Sequence, residues 1–178
     1  MNINKTIMSS LKLKISDWEL DFYSRPIIES NGKKRWELII CSTRSYKTED
    51  IFLWNKKCPA NEVNSVWLTK SLNEAISEAK KQGWAKPSIV RFWRSSMKSI
   101  IKKSLEAVSI EAIVSRRTYD LLDRIEFLEK EVYPKEKGYV RGVLAPTFTS
   151  KMDNPPTPLP EAVRGLSLIH ISEPTRRM

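Results

Sequence analysis

The chain reads as an α/β domain on a mixed five-stranded sheet, in the element order β-β-β-α-β-α-β-α, and three observations predict it. Apolar and polar residues alternate on both sides of Asn31-Gly32, which spells two strands around a tight turn. From Ser65 onward, apolar residues recur at helical spacing in three separate stretches, and short β-branched or aromatic runs stand between them. A chain of 178 residues has room for one well-cored domain of the usual ~100–150 residues plus a tail.

Residues 1–15 are polar and lysine-bearing without a clean period, which predicts a flexible arm. Trp18, Leu20 and Phe22 alternate with Glu19, Asp21 and Tyr23 in the first strand, and Trp36, Leu38 and Ile40 mark the second. Ile51–Trp54 and the approach to Cys58 give a third, ended by Pro59. Trp67, Leu68, Leu72, Ala75, Ile76 and Ala79 then define a helix that Asn64 or Ser65 can cap and Gly83 can stop. Ile89–Trp93 is the fourth strand. A helix with Met97, Ile100, Ile101, Leu105 and Val108 on one face follows, then a short strand at Ala112–Val114. The last helix runs from about Arg117 to Val132 and stops at Pro134. This makes 16–134 the folded domain. Residues 135–165, with Pro146, Pro155, Pro156, Pro158 and Pro160, read as a proline-rich linker. Three antiparallel strands followed by right-handed crossovers most simply give the strand order 3-2-1-4-5, the ribonuclease-H-like topology; an α+β sandwich with another strand order stays open.

Charge is the second signal. The full chain carries 31 basic and 21 acidic residues, and residues 80–117 alone hold Lys80, Lys81, Lys86, Arg91, Arg94, Lys98, Lys102, Lys103, Arg116 and Arg117 against Glu106 and Glu111. Arg94 precedes the Ser95-Ser96 helix start, and Arg116-Arg117 stand between a strand and its helix, where helix N-termini carry unpaired N–H groups. In the 3-2-1-4-5 order Arg25 falls on the same carboxyl edge, so four arginines converge there on a site for phosphate. Tyr23, Trp93 and Tyr119 adjoin them, and unpaired bases stack on aromatic rings while cations follow the backbone. The expected interface for single-stranded RNA is therefore Arg25, Arg91, Arg94, Lys98, Lys102, Arg116 and Arg117 with Tyr23, Trp93 and Tyr119. Trp18, Trp36 and Trp67 sit in apolar registers and are expected in the core; Trp54 and Trp84 fall in neither group.

Other chemistries have weaker support. A nuclease of this topology flanks the phosphate with two metal ions held by carboxylates. Asp21 and Glu74 suit the first two ligand positions and Asp120 or Asp123 the last, but the fourth strand reads Arg91-Phe-Trp-Arg94 where a ligand belongs. Asp21 is better matched to a nearby arginine. Cys41 and Cys58 have no paired spacing and are expected as reduced thiols. No Gly-rich phosphate loop, Ser-His pair or HExxH occurs. We expect no catalytic residue, no metal and no cofactor. No apolar run reaches the ~18–20 residues of a membrane span.

The wording WELDFYSRPI, NGKKRWELIIC, CPANEVNS, VRFWRSSM and SRRTYDLL resembles the Tab-two-type family of RNA-binding translation factors for photosystem I, over roughly residues 16–165. The resemblance implies a factor that binds the 5′ untranslated region of a photosystem I message and promotes translation of a reaction-centre subunit. It also implies a role in photosystem biogenesis, in the cyanobacterial cytoplasm or at the thylakoid, with translation machinery or thylakoid-associated proteins as partners. A photosystem assembly chaperone is the alternative without RNA. The last thirteen residues, 166–178, LSLIHISEPTRRM, break from that wording after LPEAVRG and are similar to translated sequencing adapter; they are expected to be non-native. His170, the only histidine, lies in that tail, and the family's second domain is expected to be missing.

Overall fold

A long hairpin carries the architecture. The computed structural model describes residues 13–44 and 50–141. β1 (Trp18–Ile28) pairs antiparallel with β2 (Lys34–Ser42), which pairs antiparallel with β3 (Leu53–Cys58). After α1 (Ser65–Lys81) the chain crosses to β4 (Ile89–Phe92), which lies parallel to β1; α2 (Lys98–Ala107) then leads to β5 (Glu111–Val114), parallel to β4. The strand order is β3-β2-β1-β4-β5, the ribonuclease-H-like order that the element sequence predicts.

β1 is central, so both of its faces are covered. Trp18, Leu20 and Phe22 join Leu38, Ile40, Val90 and Phe92 beneath α1 and α2, where Trp18 stacks on Phe52 at 5.1 Å and Phe22 on Trp67 at 5.5 Å. Trp84 is buried in this layer, and Trp36, Trp54 and Trp67 pack against it half-buried. The opposite face places Ile27, Ile39 and Cys41 under α3 (Tyr119–Phe127), which contributes Leu121 and Ile125, with Leu128 and Tyr133 beyond it. Asn64 caps α1 by accepting the Trp67 N–H at 2.9 Å, and Gly83 follows the helix in the left-handed region at φ 81°.

Three stretches differ from the expectation. Lys14, in the predicted arm, lies beside Trp84 and exchanges backbone hydrogen bonds with Gly83 and Ala85. α3 starts later than predicted, at Tyr119, and continues as a π-helical turn over Leu128–Val132 and a 3-10 turn over Tyr133–Lys135. Residues 138–140, in the predicted linker, return to the end of β1: Ile28 donates to Gly138 and Val140 to Pro26, and Ile27 bridges Tyr139. They pair where β1 bulges between Ser24 and Ile28 and its backbone turns from β2. Residues 1–12 of the arm, 142–165 of the linker and 166–178 lie outside the described residues.

Candidate nucleic-acid interface

The parallel ends of β4 and β5 form one edge, tied together where Ser115 donates its N–H to the Phe92 carbonyl at 2.9 Å. The strand ladder puts Asp21 of β1 beside this edge, on the α3 face, because its neighbours Leu20 and Phe22 point to the other core. Asp21 is 1% exposed. A carboxylate so deeply buried needs cationic partners, since unpaired it would forfeit most of its hydration. It has two: Arg94 Nε donates to Oδ1 at 2.5 Å with Arg94 Nη2 3.3 Å from Oδ2, and Arg25 Nη2 lies 2.9 Å from Oδ2.

The pairing spreads inward. Arg25 Nε is 3.5 Å from Glu37 on β2, which accepts the Tyr133 hydroxyl at 2.5 Å and the Asn55 amide at 2.7 Å. Burial would pull the Arg25 guanidinium down, but Asp21, Tyr133 and Glu37 hold it above its ordinary value. Burial pushes the Glu129 carboxyl up, against the pull of Arg25 and Arg94. Glu37, Glu129 and Tyr133 carry no motif. For Glu37 the signal was positional, since a polar residue in the inward register of a central strand must find a buried partner; Glu129 and Tyr133, on the turns after α3, had no such signal.

Arg94 also organises the aromatics. Its guanidinium lies 4.1 Å from the Tyr23 ring centroid and 4.2 Å from that of Trp93, so the cation lies against both rings. Tyr23 meets Trp36 edge-on at 5.5 Å. A row of rings thus crosses the end of β4, and Tyr23 and Trp93 are half-buried in it.

The predicted cations divide into two groups. Arg25 and Arg94, 1% and 4% exposed, converge as expected, but on Asp21 rather than on a solvent-facing anion site. The reason is topological: β1 is closed on both faces, so its charges are neutralised from within. Arg91 pairs with Asp17 at 2.5 Å. Lys98, Lys102, Arg116 and Arg117 are exposed, as is Tyr119 at 68%. At the α3 N-terminus one of the expected open N–H groups is already taken, because Glu19 from β1 accepts the Leu121 N–H at 2.8 Å.

The carboxylates proposed for a nuclease are dispersed. Glu74 is on α1, across the sheet from Asp21, and pairs with Lys56. Asp120 accepts the Arg44 N–H at 2.8 Å and pairs with its guanidinium at 2.9 Å; Asp123 is 3.9 Å from the same side chain. Two guanidinium groups on Asp21 oppose a divalent cation at the position where such a nuclease would hold one.

The sequence model of a family described as RNA-binding protein Tab2/Atab2 N terminal matches residues 17–127. The chain is similar to two proteins named TAB2 homolog, chloroplastic. The Zea mays protein is 40% identical over 153 residues, and the Arabidopsis thaliana protein 35% over 153 residues. Each alignment covers 85% of this chain and 36% or 38% of the relative, so the chain spans little more than a third of the curated relatives it matches. Among solved structures, it is similar to a simian T-cell lymphotropic virus intasome in complex with PP2A regulatory subunit B56 gamma, at TM-score 0.44 and 14% identity, covering 90% of this chain and 49% of that one. The HTLV-2 integrase catalytic core domain in complex with magnesium gives TM-score 0.38 and 14% identity, covering 66% and 73%.

Proposed function

The chain belongs to the family of Tab2/Atab2 N-terminal RNA-binding domains, and from that premise we propose that it takes single-stranded RNA along the edge formed by the ends of β4 and β5. The observation that supports this most is the juxtaposition at that edge: exposed Arg116, Arg117, Lys98 and Tyr119 beside the half-buried rings of Trp93 and Tyr23. Cations of this kind take phosphates and the rings take bases. In this reading Arg94 and Arg25 do not touch RNA. They hold Asp21, and Arg94 anchors both rings against its guanidinium. The role is binding without catalysis, and no metal or cofactor enters it.

The bound message is proposed to be the 5′ untranslated region of a photosystem I transcript. The consequence is translation of a reaction-centre subunit and support of photosystem biogenesis, in a cyanobacterial cytoplasm beside the thylakoid. The chloroplastic naming of both relatives supports a photosynthetic setting. Among the described residues, no helix is long and apolar enough to cross a membrane.

Retention of a labelled single-stranded RNA across a salt series, with and without magnesium, tests the reading. Affinity is expected to fall with salt and to ignore magnesium. Arg116→Gln with Arg117→Gln should flatten the log–log slope by about 1.4, from ~0.7 per phosphate contact. Salt-independent retention would refute the edge site, and RNA cleavage that needs magnesium and disappears in Asp21→Asn would establish the nuclease alternative. Capture of membrane-protein subunits without RNA affinity would establish the chaperone.

A further inference from the structure

Charge is distributed unevenly over the two helical layers. From Tyr119 to Lys135, on the α3 side, three cations face five carboxylates, and Lys130 and Lys135 pair with Glu126 and Glu131. α2 carries Lys98, Lys102 and Lys103 against Glu106 alone. All three lysines are exposed, and among the described residues none pairs with a carboxylate. Lys98 and Lys102 are one helical turn apart, where like charges repel. Glu106, one turn beyond Lys102 and Lys103, offsets part of this charge, and a polyanion laid along the helix offsets the rest.

Building on the edge reading, we propose that α2 is a phosphate track: the RNA leaves the edge at Arg116, Arg117 and Lys98 and runs along α2 over Lys102, with Lys103 on the flank toward α1, away from α3. The occupant is the sugar–phosphate backbone of a single strand. A row of flexible ammonium groups with no aromatic between them reads charge and not base identity. Recognition therefore divides by place: rings and arginines at the edge, sequence-neutral grip on the helix. Lys103 enters the interface by this argument, although no strand end or helix start marks it.

The test uses the full chain and a labelled oligouridylate, with retention measured across salt concentrations for three variants of unchanged circular dichroism. Lys102→Gln with Lys103→Gln should flatten the slope by about 1.4, from ~0.7 per contact. Lys130→Gln with Lys135→Gln should leave it unchanged. If the α2 variant keeps the wild-type slope while the Arg116→Gln, Arg117→Gln variant flattens it, the track is wrong and the edge stands. If neither changes the slope, the edge reading fails and takes the track with it. If the α3 control flattens the slope as much as the α2 variant, the grip is diffuse and the directed path is overturned.

Discussion

Glu19 faces inward from β1, 1% exposed, where it receives the Leu121 N–H and lies 3.4 Å from the Thr43 hydroxyl. Burial raises its carboxyl to about 7; the Leu121 and Thr43 hydrogen bonds and Arg91 oppose that rise, and Asp120 adds to it. The folded state therefore binds a proton that the unfolded chain releases near its ordinary carboxylic value. The stability from neutral Glu19 is fully present below that value and is lost as pH rises through about 7. Melting temperature should climb as the buffer is taken from pH 8 to pH 5, and Glu19→Gln should remove that part of the slope, on the order of 3 kcal/mol. A variant with the wild-type pH profile would refute the assignment. Asp21 was legible as a charge partner because it stands mid-strand with arginines near. The destinations of Arg25 and Arg94 were not, since an arginine at a strand end looks the same whether it faces solvent or a buried carboxylate. The answer lay in the layers, because β1 is covered by α1 and α2 on one face and by α3 on the other and so has no open face.

Among the elements, the return of residues 138–140 to β1 is the least foreseeable. It has no apolar period, and its hydrogen bonds go to a bulge that exists only in the folded hairpin. Its one local mark is Gly138. The residue has φ 87°, and a Cβ built on it would lie 2.2 Å from the Ile28 carbonyl oxygen. Gly83 also has positive φ, 81°, yet has nothing within 4 Å of a Cβ. The two make a matched pair. Gly83→Ala should cost about 1 kcal/mol in urea unfolding, the left-handed penalty alone. Gly138→Ala should cost more, about 2–4 kcal/mol, as strain adds to a lost backbone pairing. Equal losses would mean that the return segment is not held as described. The strands and the first two helices were legible because period and caps are local signals; the late start of α3 was not, because Glu19, distant in sequence, supplies its N-terminal partner.

For the whole molecule, both apolar layers close using residues between Trp18 and Tyr139. Deleting 166–178 should accordingly leave the melting temperature within error, and a clear drop would show that this segment belongs to the fold. The arginine clamp on Asp21 bears on what changes of sequence can make of the domain. Replacing Arg94 or Arg25 with a neutral residue leaves the carboxylate with a single cation in a closed interior; replacing Asp21 takes from both arginines the carboxylate they share. Breaking a buried pair from one side costs about 3–5 kcal/mol, a large part of the ~5–15 kcal/mol that holds a domain together. A change of charge at this site is therefore tolerated best when the arginines and the carboxylate change together, since each single step gives up part of that margin. The clamp thus ties the centre of the domain to three mutually dependent residues, and leaves its outer surface freer to vary than its centre.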